Sequence, residues 1–315
     1  MTTDSDSVTT SELTLGDVSI TRVEEWNGPL GSPSRVLPEA EQSVLEQNAD
    51  WLAPDHWERQ TNNLLLGFHP YVIRSAGKTI ILDTGAGNDK DRPNVPNFSR
   101  MSTPFLEKLA LAGVQPEAVD LVICTHLHLD HVGWNTVADN DEWRPTFPNA
   151  TYLFPQADWV YWDPENDSRY SRAGDWFNAN VFEDSVRPVH REGLVQLIDA
   201  GEDFVIDENL SLMPATGHTP GHMVLAVDSA GEKGVFSGDV IHSPLQITRP
   251  DWNSSFCEDV QQARGTRKRI LSWVADTGAL LLPAHFSGPH AARLERSGEL
   301  FRVRGWVDLE SPGSA

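Results

Sequence analysis

Apolar residues along the chain fall mostly into short runs broken by polar, Gly and Pro positions, the pattern of strands and turns more than of long amphipathic helices. The strand-like pattern starts at Val18. Asn63–Phe68, Tyr71–Ser75 and Thr79–Leu82 are further short runs, and Ser75-Ala76-Gly77-Lys78 between the last two reads as a hairpin turn. Leu106, Leu109 and Ala110 share one face of a helix predicted over Pro104–Ala112, which Gly113 stops. Leu121–Cys124 reads as a buried strand. Leu210–Pro214, Met223–Val227 and Gly234–Phe236 read as strands, Glu258–Ala275 as a long helix and Ala279–Leu282 as a last core strand. Strands and helices alternate loosely, with hairpins among them. That mixture predicts an α/β or α+β domain on mixed sheets rather than a pure parallel sheet.

Two stretches depart from this pattern. Residues 1–50 carry ten acidic and two basic side chains, and the first dozen or so have no hydrophobic period. Residues 1–16 are therefore expected to form a flexible acidic arm, 17–306 a single domain and 307–315 a tail. Residues from about 134 to 190 read as an insertion, broken by polar and Gly/Pro residues yet holding Trp134, Trp143, Trp159, Trp162 and Trp176. So many rings must be buried, most against each other and the sheet, and at least one is expected to face a substrate pocket. Trp134 is the first choice, with His242 as a second pocket residue.

Composition narrows the partners. The chain has 315 residues, long enough to bury a sizeable core, with 39% hydrophobic and 22% charged residues. Its 46 acidic residues against 24 basic ones give a formal charge of −22, which repels phosphate backbones and anionic lipid. A small-molecule substrate is expected, with no nucleic-acid or membrane partner, and self-association into a homo-oligomer is left open. Two cysteines, Cys124 and Cys257, exclude a disulfide framework and a four-cysteine zinc site. The polar, acidic start resembles no secretory leader, so a cytoplasmic setting is expected.

The chemistry concentrates in Thr125-His126-Leu127-His128-Leu129-Asp130-His131, directly after the strand Leu121–Cys124. Imidazole and carboxylate are the ligands borderline divalent metals prefer. An i, i+2 histidine pair at a strand end points two rings into one space, and the next Asp–His pair can serve a second ion. Other apolar runs end in the same kind of residue: Ile80–Leu82 in Asp83-Thr84-Gly85, Leu210–Ala215 in Gly217-His218-Thr219-Pro220-Gly221-His222, Gly234–Ser237 in Gly238-Asp239, and Leu280–Ala284 in His285. Taken singly, each is an ordinary turn or a buried histidine. Taken together, strand ends carrying His or Asp build one pocket beyond the carboxyl edge of a sheet.

In order and context these segments resemble the metallo-β-lactamase-fold hydrolases, and the stretch Gly238–Gln246 is similar to methyl parathion hydrolase-like enzymes and lactonases. His131-Val132-Gly133-Trp134-Asn135 departs from the double glycine usual there. The resemblance implies an αββα sandwich of two mixed sheets flanked by helices. It implies that His126, His128 and His218 hold one metal, that Asp130, His131 and His285 hold a second, and that Asp239 bridges. Asp83, Thr219 and His222 are expected behind these ligands. The implied cofactors are two divalent ions, zinc first, with Mn2+, Fe2+ or Co2+ as alternatives. The implied reaction is hydrolysis of a small, neutral ester, lactone or phosphotriester, aromatic ones included, by water activated between the ions, with Asp130 and Asp239 in catalytic positions. Two alternatives stand beside it: hydrolytic displacement of a halide or alkoxide from an activated aromatic ring, and a single-iron persulfide dioxygenase. Cys124 and Cys257 are both read as inert, and His56, His69, His190 and His290 as ordinary.

Overall fold

The computed structural model describes residues 10–140, 142–166, 173–288 and 291–309. Two seven-stranded mixed sheets lie face to face. In the first, the antiparallel strands Thr10–Leu15, Val18–Val23, Tyr71–Ser75 and Lys78–Leu82 lead into the parallel strands Leu121–Ile123, Thr151–Pro155 and Val195–Ile198. In the second, the order is Phe204–Val205, Leu210–Pro214, Met223–Ser229, Glu232–Phe236, Leu280–Leu282, Ala291–Ser297 and Leu300–Val307, with Glu232–Phe236 and Leu280–Leu282 parallel.

The strands are apolar on both faces because both faces are covered. Ile73, Ile80, Leu82 and Ile123 of the first sheet meet Leu212, Leu225, Phe236 and Leu280 of the second in a common core. Their neighbours Val72, Ile81 and Val122 point the other way, onto Phe105 and Leu109 of the helix Phe105–Leu111. On the far side, Val224, Val235 and Leu281 pack on Ile270, Leu271 and Val274 of the helix Val260–Thr277. Asp259 caps that helix by accepting hydrogen bonds from the Gln261 and Gln262 amides, and Gly278 ends it in the left-handed conformation. The result is the expected αββα sandwich.

Three expectations change. Residues 10–15 are not a loose arm: Thr10–Leu15 pairs along its whole length with Val18–Val23, and Leu15 is buried. Alternation of Leu13 and Leu15 is too brief to register as a period; residues 1–9 lie outside the described residues. The tail starts later than 307, since Val307 ends a strand and Leu309 is buried between the sheets. Residues 134–190 are not wholly an insertion, because Thr151–Pro155 is an internal strand flanked by Leu121–Ile123 and Val195–Ile198. Its apolar core is only Tyr152–Phe154, too short to stand out among the surrounding turns.

Candidate metal centre

The strand Leu121–Ile123 delivers the chain into a loop that carries His126, His128, Asp130 and His131. A buried carboxylate at the end of the neighbouring strand ties that loop down. Asp83 accepts hydrogen bonds from the Thr125 amide (2.8 Å) and hydroxyl (3.0 Å), and its Oδ2 lies 2.9 Å from His131 Nδ1. Asp83 holds φ = 54°, a left-handed conformation rare outside glycine, and its side-chain bonds keep it there. The loop after Asp83 lies directly on the His131 loop: Thr84 N donates to His131 O, Gly133 N to Gly85 O and Trp134 N to Thr84 O. A Cβ on Gly133 would sit 1.9 Å from the Ala86 carbonyl carbon, so only glycine fits this approach.

His218, Asp239 and His285 arrive from the second sheet, beyond the strands Leu210–Pro214, Glu232–Phe236 and Leu280–Leu282. Asp239 lies at the centre. Its Oδ2 is 3.1 Å from His218 Nε2, 3.1 Å from His242 Nε2 and 3.7 Å from His126 Nε2. Its Oδ1 is 2.8 Å from His285 Nε2 and 3.1 Å from His131 Nε2. Around this carboxylate His126, His128, His218 and Asp239 converge on one side and Asp130, His131 and His285 on the other, while His242 forms a third, overlapping group with Asp239 and His285. His128 turns Nδ1 inward, 3.0 Å from His126 Nε2 and 2.9 Å from His218 Nε2. Asp130 stands at the open edge, 3.7 Å from His285 and 3.8 Å from His131.

The inward atoms suit cations and suit little else. Imidazole nitrogens face imidazole nitrogens across hydrogen-bond distances, and His131 Nε2 and His285 Nε2 meet at 3.3 Å. Such contacts stand only if protons or cations fill them. Burial lowers the proton affinity of His126 and His128. Burial acts the same way on His131 and His218, but Asp239, with Asp83 and Asp130 beside His131 and Cys257 beside His218, outweighs it, lifting His131 well above its ordinary range and His218 to about 10. The cluster therefore demands positive charge, and its donors are the nitrogen and oxygen ligands of zinc-type ions.

Four of the five ligand rings are held from behind, and among the described residues His128 Nε2 is buried without a hydrogen-bond partner. His126 Nδ1 lies 3.0 Å from the Thr125 hydroxyl, His285 Nδ1 lies 2.9 Å from the Gly67 carbonyl, and Asp83 holds His131. His222 accepts a hydrogen bond from the Asp239 amide, and Thr219 is buried in the turn that carries His218. His218 Nδ1 meets the buried Cys257 sulfur at 3.6 Å, and Ser254 Oγ lies 3.4 Å from the same sulfur. Cys257, read from the sequence as inert, thus has a histidine partner. The partner stands 39 positions away and is brought close because the Glu258 and Asp259 amides donate to the His218 and Gly217 carbonyls.

Other supports carry no motif. Asp158 accepts from the Leu127 amide (3.0 Å) and the Gly221 amide (2.6 Å), joining the two histidine loops across the sheets; burial pushes its carboxyl up to about 6. Glu25 accepts from the Ala86 and Gly87 amides and from the Trp134 indole. Arg267 lies buried and donates to the Val240, Pro250 and Trp252 carbonyls, bracing the segment that carries His242. Only the fold supplies these partners, so an isolated Asp, Glu or Arg gives no sign of them.

A cavity of about 260 Å3 opens in front of Asp239, His128, Asp130, His242 and His285. Its sides include Phe68, Phe98, Phe177 and Phe256. Trp134 is not among its lining residues. The ring is buried, stacked on Phe105 at 5.2 Å and bonded to Glu25 at 2.6 Å. Proximity to His131 in sequence misleads here, because the chain turns inward at Gly133. Trp176 is the tryptophan of this stretch that lines the cavity, at its exposed end, and His242 lines it as expected. His56 and His69 are buried in the described structure, and His290 lies outside the described residues.

Fold and site together define a class, a sandwich whose sheet edges gather a His/Asp cluster, and the comparisons agree. The family model of the metallo-beta-lactamase superfamily matches residues 69–285, and the chain belongs to that superfamily. Among solved structures it is similar to the hydrolase AbOPH of the beta lactamase superfamily, at 21% identity and TM-score 0.75 over 94% of this chain and 97% of that one. It is similar to AidC, a dizinc quorum-quenching lactonase solved with an N-acyl homoserine product, at 20% identity and TM-score 0.74 over 95% and 98%. A probable metal-dependent hydrolase from Staphylococcus aureus matches at 20% identity and TM-score 0.72 over 95% and 99%. No curated protein matches the chain in sequence. No described helix is long and apolar enough to cross a membrane.

Proposed function

We propose that the chain is a dinuclear metal-dependent hydrolase of small esters, lactones or phosphotriesters. The carrying observation is the placement of the two Asp239 oxygens toward two separate ligand groups. His126, His128 and His218 would hold one ion, Asp130, His131 and His285 the other, and Asp239 both. Zinc is the ion the donor set favours, with Mn2+, Fe2+ and Co2+ as substitutes. When bound, such a pair supplies an acidified water as nucleophile and polarises the substrate oxygen.

The chain's own groups do the rest. Asp83, Thr125, Gly67 and Cys257 orient the rings of His131, His126, His285 and His218 before substrate arrives. Asp130, partly exposed at the cavity edge, is placed to take a proton from water and pass it to a leaving group. The phenylalanine walls take the apolar part of the substrate and exclude water around the scissile bond. The similarity to AidC, itself a lactonase, supports including lactones in the substrate range. We further propose that the protein works without nucleic-acid or membrane partners, in keeping with its −22 charge.

Two measurements test the proposal. Reconstituted protein should bind two divalent ions per chain by elemental analysis. The zinc-loaded protein should then hydrolyse members of a panel of lactones, aryl esters and phosphotriesters, and lose that activity on chelation. Saturation at one iron, with no hydrolysis of the panel, overturns it.

A further inference from the structure

The cavity has two polar ends and an apolar middle. Its buried end is the His/Asp cluster, and its walls include Phe68, Phe98, Phe177 and Phe256. Its exposed end carries Arg35, Asn94 and Asn97. Arg35 is the sole Lys or Arg among the lining residues. Among the described residues its guanidinium makes no hydrogen bond and no ion pair, and the Asn94 and Asn97 side chains likewise have no hydrogen-bond partner.

Arg191 and Arg304 are unpaired too among the described residues, but neither lines the cavity. Acidic residues outnumber basic ones by nearly two to one, and several arginines find carboxylates: Arg59 pairs with Glu46, Arg92 with Asp184, Arg187 with Asp163, Arg264 with Glu39 and Arg296 with Asp276. Arg35 follows Pro33 and Ser34 in a one-turn helix whose Val36 is buried and also lines the cavity. That anchor fixes the backbone of Arg35 at the mouth. A guanidinium is a planar fork of donors matched to two oxygens of one carboxylate, and amide side chains beside it add neutral donors.

We propose that the outer end of the cavity is a subsite for a carboxylate carried by the substrate at the end remote from the scissile bond. Arg35 is its counter-ion, and Asn94 and Asn97 are supporting donors. The substrate is then an acidic ester or lactone: a hydrolysable carbonyl at the ligand cluster, an apolar or aromatic middle between the phenylalanines, and an anionic far end. The inference rests on the hydrolase reading and refines it, because the overall negative charge alone points to neutral substrates whereas the outer end of the cavity carries an arginine with no carboxylate paired to it.

The test compares three esters differing only in the para group of the phenol: phenyl butyrate, 4-carbamoylphenyl butyrate and 4-carboxyphenyl butyrate. Wild type, Arg35→Met and Arg35→Lys are assayed after zinc loading. Arg35→Met should lower the carboxyl-to-phenyl ratio of kcat/KM by about tenfold, the size of one charge-assisted hydrogen bond. Arg35→Lys should keep part of it, and added salt should shrink the difference. An unchanged ratio overturns the subsite. An equal fall in the carbamoyl-to-phenyl ratio overturns its anionic character. Should wild type hydrolyse none of the three, the hydrolase reading is at fault, and calorimetry with 4-butoxybenzoate and 4-butoxybenzamide judges the subsite separately. Benzoate binding that Arg35→Met weakens supports it, and benzoate affinity equal in both proteins overturns it.

Discussion

At the scale of single residues, Asp239 and Cys257 show how different positions serve one site. Asp239 faces both ligand groups, and its carboxylate is the charge that His131, His218 and His285 share. Asp239→Asn keeps the shape and removes the charge. It is expected to lower metal content below one ion per chain and to abolish hydrolysis, as read by elemental analysis and turnover on the same sample. Cys257 touches only the back of His218. With Nε2 turned to the cluster, Nδ1 carries the proton and the sulfur accepts it. Loss of such an outer partner typically costs about 10- to 100-fold in metal affinity. Cys257→Ala should fall in that range in chelator competition, and Cys257→Ser, which retains an acceptor, should recover part. Equal loss in both variants would mean that volume, not hydrogen bonding, is what the position supplies.

At the scale of elements, the site is two loops pressed together. The segments 83–87 and 131–134 exchange backbone hydrogen bonds at a separation that tolerates no side chain on Gly133. Gly133→Ala must push the loops apart. The overpacking is expected to cost about 1–3 kcal/mol, with loss of metal on the Asp130–His131–His285 side before the other. Chemical denaturation gives the first quantity and metal stoichiometry the second. The helix Val260–Thr277 has a similar positioning role. Its Arg267 is buried and spent on loop carbonyls.

At the scale of the whole molecule, buried histidines outside the centre set acid stability. His56 is buried against Phe286 and Trp306, neither ring nitrogen has a hydrogen-bond partner, and burial pushes its pKa down to about 4. The unfolded chain takes up this proton near pH 6.5, and the folded one resists until about pH 4. Stability from this residue is therefore complete above pH 6.5 and declines as pH falls from 6.5 toward 4, by about 2 kcal/mol between pH 7 and 5. His56→Leu should remove that part of the slope. Denaturation of metal-free wild type and variant across this window checks it, and parallel pH profiles would refute it.

Local signals in the sequence carry strands such as Tyr71–Ser75 and Met223–Ser229, the long helix and the candidate His and Asp positions, but not the strands Thr10–Leu15 and Thr151–Pro155. Strand pattern depends on neighbouring residues, and the residues of a metal motif lie close together or at strand ends, as His126–His131, Asp239 and His285 do. What the sequence left open lies in contacts between distant segments. Asp158, Glu25 and Cys257 look ordinary until the sheets stack and bring their partners to them. The same packing sent Trp134 into the core and left Trp176 at the cavity, because ring burial is decided by which way the chain turns and not by distance along it. The unpaired state of Arg35 is likewise a property of the folded surface, since only there is it settled which carboxylates an arginine can reach.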